Sequence, residues 1–253
     1  MRWPDSMRAV LGPSCGWIVP EWEAPANVRA FVTTRSGGVS RGEYASMNLG
    51  GSGGDESANV ARNRLIVRER LPAMPRWLRQ VHGVRVADLD QDGVAEADAA
   101  VARSPGRVAA VLTADCMPLF LCDTATCRVA VAHAGWRGMA AGVIESTLAT
   151  LGSEPARTLA WMGPTIGPDA FEVGAEVRSA FLAADPGADE AFRAHTPGKY
   201  FADLYRLARR RLGRAGVAAI FGGDFCTFND SERFFSYRRE KKSGRMGAFI
   251  WIE

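Results

Sequence analysis

The chain has 253 residues, 47% of them apolar, and its 31 Lys and Arg against 28 Asp and Glu give a net charge of +3. This length and apolar content indicate a globular protein with a substantial core, while so slight a basic surplus argues against a nucleic-acid or membrane-surface partner. Five cysteines without framework spacing, and the lack of a long uninterrupted apolar run, predict reduced thiols in a soluble, cytoplasmic protein.

The first third of the chain combines apolar runs with glycine-rich turns. Residues 28–34 are typical of a strand that enters a turn at 35–40, because paired glycines supply the positive φ angles of tight turns. Residues 59–71 have the three- and four-residue apolar spacing of a helix. We expect Ser57 or Asn59 to cap its start.

The middle of the chain has three β-rich runs, at 108–113, 117–122 and 128–133. The third run ends at His133, and residues 138–151 behind it have the period of an amphipathic helix. A strand followed at once by a helix places the intervening His-Ala-Gly-Trp-Arg segment in the loop between them.

The last third continues this mixture, with predicted helices at 174–184 and 203–212 and predicted strands at 158–162, 217–221 and 246–252. A hairpin over 234–250 would turn at Lys242-Ser243-Gly244. Interleaved strands and helices predict a mixed, layered α and β fold. No repeat or linker divides the chain, so we expect one domain over residues 1–253.

Standard cofactor signatures are missing from the sequence. It has no dinucleotide fingerprint, no phosphate loop, no His-Glu-x-x-His and no zinc-deaminase Pro-Cys-x-x-Cys. Any metal site must therefore be assembled from residues that are far apart in the chain.

Three such residues, His82, Cys116 and His133, each lie near the end of a β-like run. Strand ends in layered α and β proteins converge on one rim, and three nitrogen or sulfur ligands with an open fourth position describe a catalytic zinc site. The alternative is that both histidines are hydrogen-bonded structural residues and that Cys116 is a small core residue.

Seven motifs in order resemble the YfiH family, also called the laccase-domain or multicopper polyphenol oxidase family; they lie at 33–40, 46–50, 80–83, 113–118, 133–138, 163–167 and 235–239. The resemblance runs from about residue 28 to 253, which leaves 1–27 as an N-terminal extension. It implies an α+β fold, a four-layered α/β/β/α sandwich. It also implies phosphorolysis of adenosine, inosine or methylthioadenosine to base and pentose 1-phosphate, together with adenosine deamination.

The resemblance makes His82, Cys116 and His133 the ligands of one zinc ion. Copper is less favoured, and a polyphenol oxidase is doubtful, because a multicopper centre needs many imidazoles and this chain has 3 histidines. Zinc lowers the pKa of its bound water to about 7, which supplies hydroxide for attack on a purine ring carbon.

A neighbouring carboxylate must move the proton in this chemistry, and Asp115 and Glu172 are the candidates. For Asp115, a role as a turn residue or as a hydrogen-bond partner that holds a ligand is weighed equally with proton transfer. Glu172 is as readily explained as an acidic residue at the start of the following helix. The sequence leaves both pairs of alternatives open.

The expected partners are a purine nucleoside and phosphate, and Arg137 is the best-placed cation for phosphate because it precedes a predicted helix. The competing interpretation is a structural salt bridge. Arg35 and Arg238 are weaker candidates for an anion. Asn48 is a candidate for binding a base or sugar, although it is also an ordinary turn residue.

Two other functions remain open. One is a metal-free hydrolase in which Cys116 is the nucleophile and His82 or His133 the base. The other is a binding or editing protein in cell-wall metabolism that recognises a nucleotide-linked ligand without converting it. A monomer and a homodimer are equally compatible with the sequence.

Overall fold

A computed structural model describes residues 16–91, 93 and 95–253. The first fifteen residues of the predicted N-terminal extension lie outside this range. The strands are β1 (Val28–Val32), β2 (Val86–Asp88), β3 (Ala99–Ala102), β4 (Ala109–Thr113), β5 (Met117–Asp123), β6 (Val129–Ala134), β7 (Thr158–Met162), β8 (Glu172–Gly174), β9 (Phe192–Ala194), β10 (Lys199–Ala202), β11 (Ala219–Gly222) and β12 (Met246–Ile252).

The helices are α1 (Ser57–Arg68), α2 (Trp136–Ala141), α3 (Val143–Leu151), α4 (Ala175–Leu182), α5 (Leu204–Arg214) and α6 (Tyr237–Glu240), with 3-10 turns at Gly42–Tyr44, Pro155–Arg157 and Pro186–Ala191. None of the helices in the described residues is both long and apolar enough to cross a membrane.

Two sheets form the centre of the molecule. The larger has the order β11-β7-β5-β6-β3-β2, with antiparallel pairing except at its two edges, where β11 pairs parallel with β7 and β2 parallel with β3. The smaller is the antiparallel sheet β1-β12-β4. A third sheet, β8-β10-β9, is separate from both.

Side chains that point alternately to the two faces of each strand produce four layers. On β5, Phe120 faces the smaller sheet, whereas Leu119 and Leu121 face a core shared with helices α2 to α5. On β12, Phe249 faces the opposite way from Ile250 and joins a third core beneath α1. Because side chains alternate between the faces of a strand, each of the two central sheets buries both faces. The predicted α/β/β/α sandwich is confirmed.

The predicted helix over 138–151 is two helices. Gly142 ends α2 and begins α3 in a left-handed conformation, with φ of +103°. Glycine adopts this conformation without strain, so the chain breaks there although the apolar spacing continues through it.

The predicted start of α1 is also wrong. Glu56 is the N-cap residue, without a side-chain cap, and its N–H donates to Asp55 Oδ1 at 2.8 Å. Ser57 is therefore the first residue of the helix and not its cap. The Asn59 side chain lies inside the helix and donates to Glu56 Oε2 at 3.3 Å.

The predicted hairpin over 234–250 does not form. Residues 237–240 are helix α6, which begins where Ser236 Oγ accepts the Arg239 N–H at 3.2 Å. Strand β12 pairs instead with β1 and β4, which are distant in the chain. The short strands β2, β3, β8, β9 and β10 were not among the predicted elements. The predicted strand at 158–162 matches β7.

We expect Phe120→Ala to lower the free energy of unfolding by about 3–5 kcal/mol, the usual cost of deleting a buried aromatic ring. Phe120 is fully buried between the two central sheets and stacks on Trp161 at 5.6 Å. Denaturant titration measures the loss, and Leu65→Ala at a half-exposed site should change it by less than about 0.5 kcal/mol. Equal effects of the two substitutions would contradict the packing described.

Candidate metal centre

The fold brings His82, Cys116 and His133 together as predicted. One ligand atom from each lies within 4.8 Å of the others, and Cys116 Sγ is 3.9 Å from His82 Nε2. The two imidazole rings meet edge to face, with centroids 4.8 Å apart. Two imidazoles and a thiolate at these separations fit three corners of a tetrahedral zinc site and leave the fourth corner for another ligand.

Neighbouring strands position two of the three ligands. Cys116 directly precedes β5 and His133 lies near the end of β6, and the antiparallel register pairs Met117 with Ala134. His82 approaches from the loop before β2 in a left-handed conformation, with φ of +60°. Asp115 has φ of +81°, so a tight turn directs the chain into Cys116.

A buried carboxylate, Asp98, connects the histidine ligands. It is fully buried, and it accepts a hydrogen bond from His133 Nδ1 at 2.9 Å. It also accepts the backbone N–H groups of Val81, His82 and Gly83 at 3.1, 2.9 and 2.7 Å. Burial acts to raise the pKa of Asp98, but the hydrogen bonds from His133 and the backbone outweigh it and lower the pKa.

This network fixes the orientation of the candidate ligands. A hydrogen bond from Nδ1 to Asp98 leaves Nε2 of His133 available as the ligand atom. The three backbone bonds hold the loop around His82 in place. Sequence reasoning missed Asp98, although a single acid inside the apolar run 97–102 is a usable signal, because a buried carboxylate requires hydrogen-bond partners.

The surroundings of Cys116 and His133 favour the thiolate of one and the imidazolium of the other. Burial would raise the pKa of the Cys116 thiol, but the His133 imidazolium and hydrogen bonds from both histidines outweigh it and lower the pKa from 9.0 to about 6. Burial would lower the pKa of His133, but the Cys116 thiolate and Asp98 raise it from 6.5 to about 9. A thiolate is therefore ready to bind a metal at neutral pH.

The Asp115 carboxylate joins three segments around the centre. Its oxygens accept Thr227 Oγ1 and the backbone N–H of Arg238, both at 2.7 Å, and its carbonyl accepts the Ile166 N–H at 3.0 Å. Both carboxylate oxygens are thus engaged next to Cys116. This geometry suits the positioning role that the sequence left open for Asp115.

Arg238 lies between Asp115 and Glu172 at the protein surface. Its guanidinium donates to the Glu172 carbonyl at 2.8 Å and lies 5.2 Å from the Phe171 ring centroid. The Glu172 carboxylate is 3.5 Å from His195 Nε2, and both of these side chains are about 40% exposed. Glu172 begins β8, so it does not lie at the start of a helix.

Asn48 and Arg35 are occupied by contacts within the chain. The buried Asn48 amide accepts the N–H groups of Gly50 and Arg245, both at 2.9 Å, and donates to the Gly50 carbonyl and to Asp55. Arg35 forms an ion pair with Glu240 at 3.0 Å and also donates to the Ala45 and Ser231 carbonyls. Both side chains hold loops.

Arg137 is exposed at the second position of α2, with its guanidinium 4.4 Å from the Trp136 ring centroid. It makes no ion pair with any residue that the structure describes, so the structural salt bridge considered from the sequence is not formed there.

Comparison with known proteins gives one family. Residues 29–253 match the family described as multi-copper polyphenol oxidoreductase laccase. The chain is 52% identical over 238 residues to a purine nucleoside phosphorylase of Pseudomonas aeruginosa, covering 94% of this chain and 98% of that one. It is also 52% identical over 239 residues to purine nucleoside phosphorylase YfiH of Escherichia coli, covering 93% and 98%.

Solved structures agree with this result. A Neisseria meningitidis protein superposes with a TM-score of 0.90 at 45% identity, covering 94% of this chain and 99% of that one. YlmD from Geobacillus stearothermophilus superposes with a TM-score of 0.87 at 30% identity, covering 96% and 98%. The four-layered architecture is therefore shared along nearly the whole chain.

Asp98→Asn should weaken zinc binding about 10- to 100-fold, because the amide disrupts the bonds that orient both histidines. Competition with a chelating indicator measures the affinity. Asp123→Asn is the matched control, since Asp123 is also buried and accepts the N–H groups of Ala125 and Thr126, but at the far end of β5. Equal affinities in the two variants would show that Asp98 does not organise the centre.

The pH dependence of thiol alkylation tests the charged pair in metal-stripped protein. A folded pKa below the ordinary value means that the Cys116 thiolate persists at neutral pH and is lost as the pH falls through about 6. Iodoacetamide should therefore modify Cys116 with a midpoint near that pH, and zinc should protect it. Burial raises the pKa of Cys122 to about 12, which makes it an unreactive internal reference. A midpoint for Cys116 near the ordinary 9.0 would contradict the pairing.

Proposed function

The chain belongs to the laccase-domain family, and from that premise we propose that it is a zinc-dependent purine nucleoside phosphorylase. The observation that supports this most is the cluster of His82, Cys116 and His133 with Asp98 behind it. Relatives that are 52% identical over more than nine tenths of the chain bear the name purine nucleoside phosphorylase. The proposed substrates are adenosine, inosine or methylthioadenosine, with phosphate as the acceptor.

The donor set favours zinc over copper. One thiolate with two imidazoles suits a borderline-soft ion in tetrahedral geometry, and the open fourth position is that of a catalytic site. When bound, the ion supplies Lewis-acid chemistry at that position. Two of the 3 histidines in the chain belong to this one centre, so we do not propose a multicopper polyphenol oxidase.

Phosphorolysis forms a bond between a phosphate oxygen and C1′ of the ribose and breaks the bond from C1′ to the purine nitrogen. The electron pair of the broken bond leaves with the base, which must be stabilised by a proton or a cation. In this proposal the exposed side chains of Arg137 and Arg238 attract anionic groups of the substrates toward the metal centre. Asn48 and Arg35 shape the rim by holding its loops.

The proton that the departing base requires is assigned to Asp115 or Glu172. The two hydrogen bonds to the Asp115 carboxylate favour a positioning role for that residue. The Glu172 carboxylate is more accessible, since its side chain is about 40% exposed and its one ion-pair contact among the described residues, with His195 Nε2, is at 3.5 Å. We therefore propose Glu172 for the proton transfer and Asp115 for holding Cys116 in place.

Adenosine deamination is proposed as a second activity of the same centre: water attacks the purine ring carbon that bears the amino group, and that group leaves as ammonia while the bond to ribose stays intact. A metal-free hydrolase is the alternative that the geometry also favours, because Cys116 Sγ is 3.9 Å from His82 Nε2 and the pKa of Cys116 is lowered to about 6.

All four cysteines in the described residues are free thiols, which supports a cytoplasmic site of action.

Incubation of the zinc-loaded protein with adenosine, with and without phosphate, tests the proposal. We expect adenine and ribose 1-phosphate only when phosphate is present, and inosine if deamination also occurs. Cys116→Ala should reduce turnover at least about 100-fold, because it removes both a metal ligand and a charge. Cys127→Ala is the matched control, since that thiol donates to Asn27 Oδ1 at 3.5 Å and packs at the edge of the core between the sheets, away from the cluster.

Chromatography of the products separates the alternatives. If the zinc-stripped protein keeps its full turnover and loses it on thiol alkylation, the zinc enzyme is contradicted and the metal-free Cys–His hydrolase is supported. Saturable nucleotide binding without any product would instead support a non-catalytic binding protein. Undiminished turnover in Cys116→Ala would contradict both enzyme mechanisms.

A further inference from the structure

Arg245 is a partly buried arginine near the candidate metal ligands. It directly precedes β12, and the first residue of that strand, Met246, pairs with Thr113, three residues before Cys116. The guanidinium carbon of Arg245 lies 5.7 Å from the Tyr237 ring centroid, and the next residue, Arg238, donates its backbone N–H to the Asp115 carboxylate beside Cys116. These contacts place a positive charge in the neighbourhood of the centre.

The hydrogen bonds of Arg245 leave much of its guanidinium unused. Nη1 donates to the Ser243 and Gly244 carbonyls at 2.6 and 3.0 Å. Within the part of the chain that the structure describes, Nε and Nη2 donate to no protein group and no acid lies within ion-pair distance. A desolvated cation is costly without an anion, and burial accordingly lowers the pKa of Arg245.

The surrounding residues hold Arg245 in place. Its backbone N–H donates to Asn48 Oδ1 at 2.9 Å, and its carbonyl accepts the Leu49 N–H at 3.1 Å. A Cβ atom at Gly50 would lie 2.6 Å from Arg245 Cγ, so glycine at that position makes room for the side chain. The Tyr237 ring centroid is 5.7 Å from the guanidinium carbon. These contacts fix the base of the side chain and leave Nε and Nη2 free to donate.

Other arginines near the centre are less suited to holding an anion. Glu240 already neutralises Arg35, and Arg137 and Arg238 are exposed to solvent. We infer that Arg245 binds the phosphate co-substrate, with Nε and Nη2 donating to two of its oxygens. A planar guanidinium fork matches two oxygens of a phosphate, and such charge-assisted pairs are among the stronger hydrogen bonds. This inference rests on the proposed function, in which phosphate is the acceptor.

Calorimetric titration of the zinc-loaded protein with inorganic phosphate, at constant ionic strength, tests the inference. Arg245→Gln should raise the Kd for phosphate about tenfold or more, the loss expected for two hydrogen bonds to a charged group. Arg245→Lys retains the charge but not the fork, so its Kd should lie between those of the wild type and Arg245→Gln.

Arg128→Gln provides the matched control. Arg128 is also partly buried, and its Nη1 likewise donates to two consecutive carbonyls, those of Leu151 and Gly152 at 3.4 and 3.0 Å. It lies just before β6, at the end of that strand remote from His133, so its substitution should leave phosphate binding unchanged. Equal phosphate affinity in folded, zinc-loaded Arg245→Gln and Arg128→Gln would overturn the inference. If Arg245→Gln does not fold, wild-type affinity in Arg245→Lys overturns it.

Steady-state kinetics separate this inference from the proposed function. In phosphorolysis, Arg245→Gln should raise the KM for phosphate while the KM for adenosine stays at its wild-type value, which a general structural defect would not produce. Phosphate binding that depends on Arg245 in a protein that forms no ribose 1-phosphate would support the inference and refute the function. Phosphate-dependent turnover with an unchanged KM for phosphate in Arg245→Gln would support the proposed function and refute the role of Arg245.

Discussion

The centre depends on the burial of one carboxylate. Asp98 has no access to water, so its charge must be satisfied by hydrogen bonds, and the groups that satisfy it are His133 Nδ1 and the backbone around His82. The same bonds that compensate the buried charge therefore orient two candidate metal ligands from separate parts of the chain. The third candidate, Cys116, then meets them through the pairing of β5 with β6.

The layered fold explains why this arrangement lies at a rim. The six-stranded sheet is covered on one face by helices and on the other by the smaller sheet, so polar groups collect where strands end. Strand β12 of the smaller sheet begins next to the segment that leads into Cys116, because its first residue, Met246, pairs with Thr113. In the role inferred for Arg245, this pairing sets a cation of the smaller sheet near the candidate metal ligands.

Apolar spacing predicted a mixed, layered α and β fold, because it follows the faces of strands and helices. Residue types at strand ends made His82, Cys116 and His133 candidate metal ligands but left a structural role open, and the resemblance to the family favoured the ligand role. Asp98 and Arg245 were missed because their importance depends on what surrounds them in space: one is an acid with many donors, the other a cation with no acid. The break within 138–151 was missed because Gly142 interrupts the backbone without interrupting the apolar spacing.

Removal and restoration of the metal test the central claim most directly. The measurement is ³¹P nuclear magnetic resonance of adenosine and inorganic phosphate incubated with zinc-loaded, zinc-stripped and zinc-restored protein. The account predicts a ribose 1-phosphate resonance with the loaded protein, its loss on stripping and its return with about one zinc ion per chain. Equal formation of ribose 1-phosphate by the stripped protein, or none by the loaded protein, would contradict it.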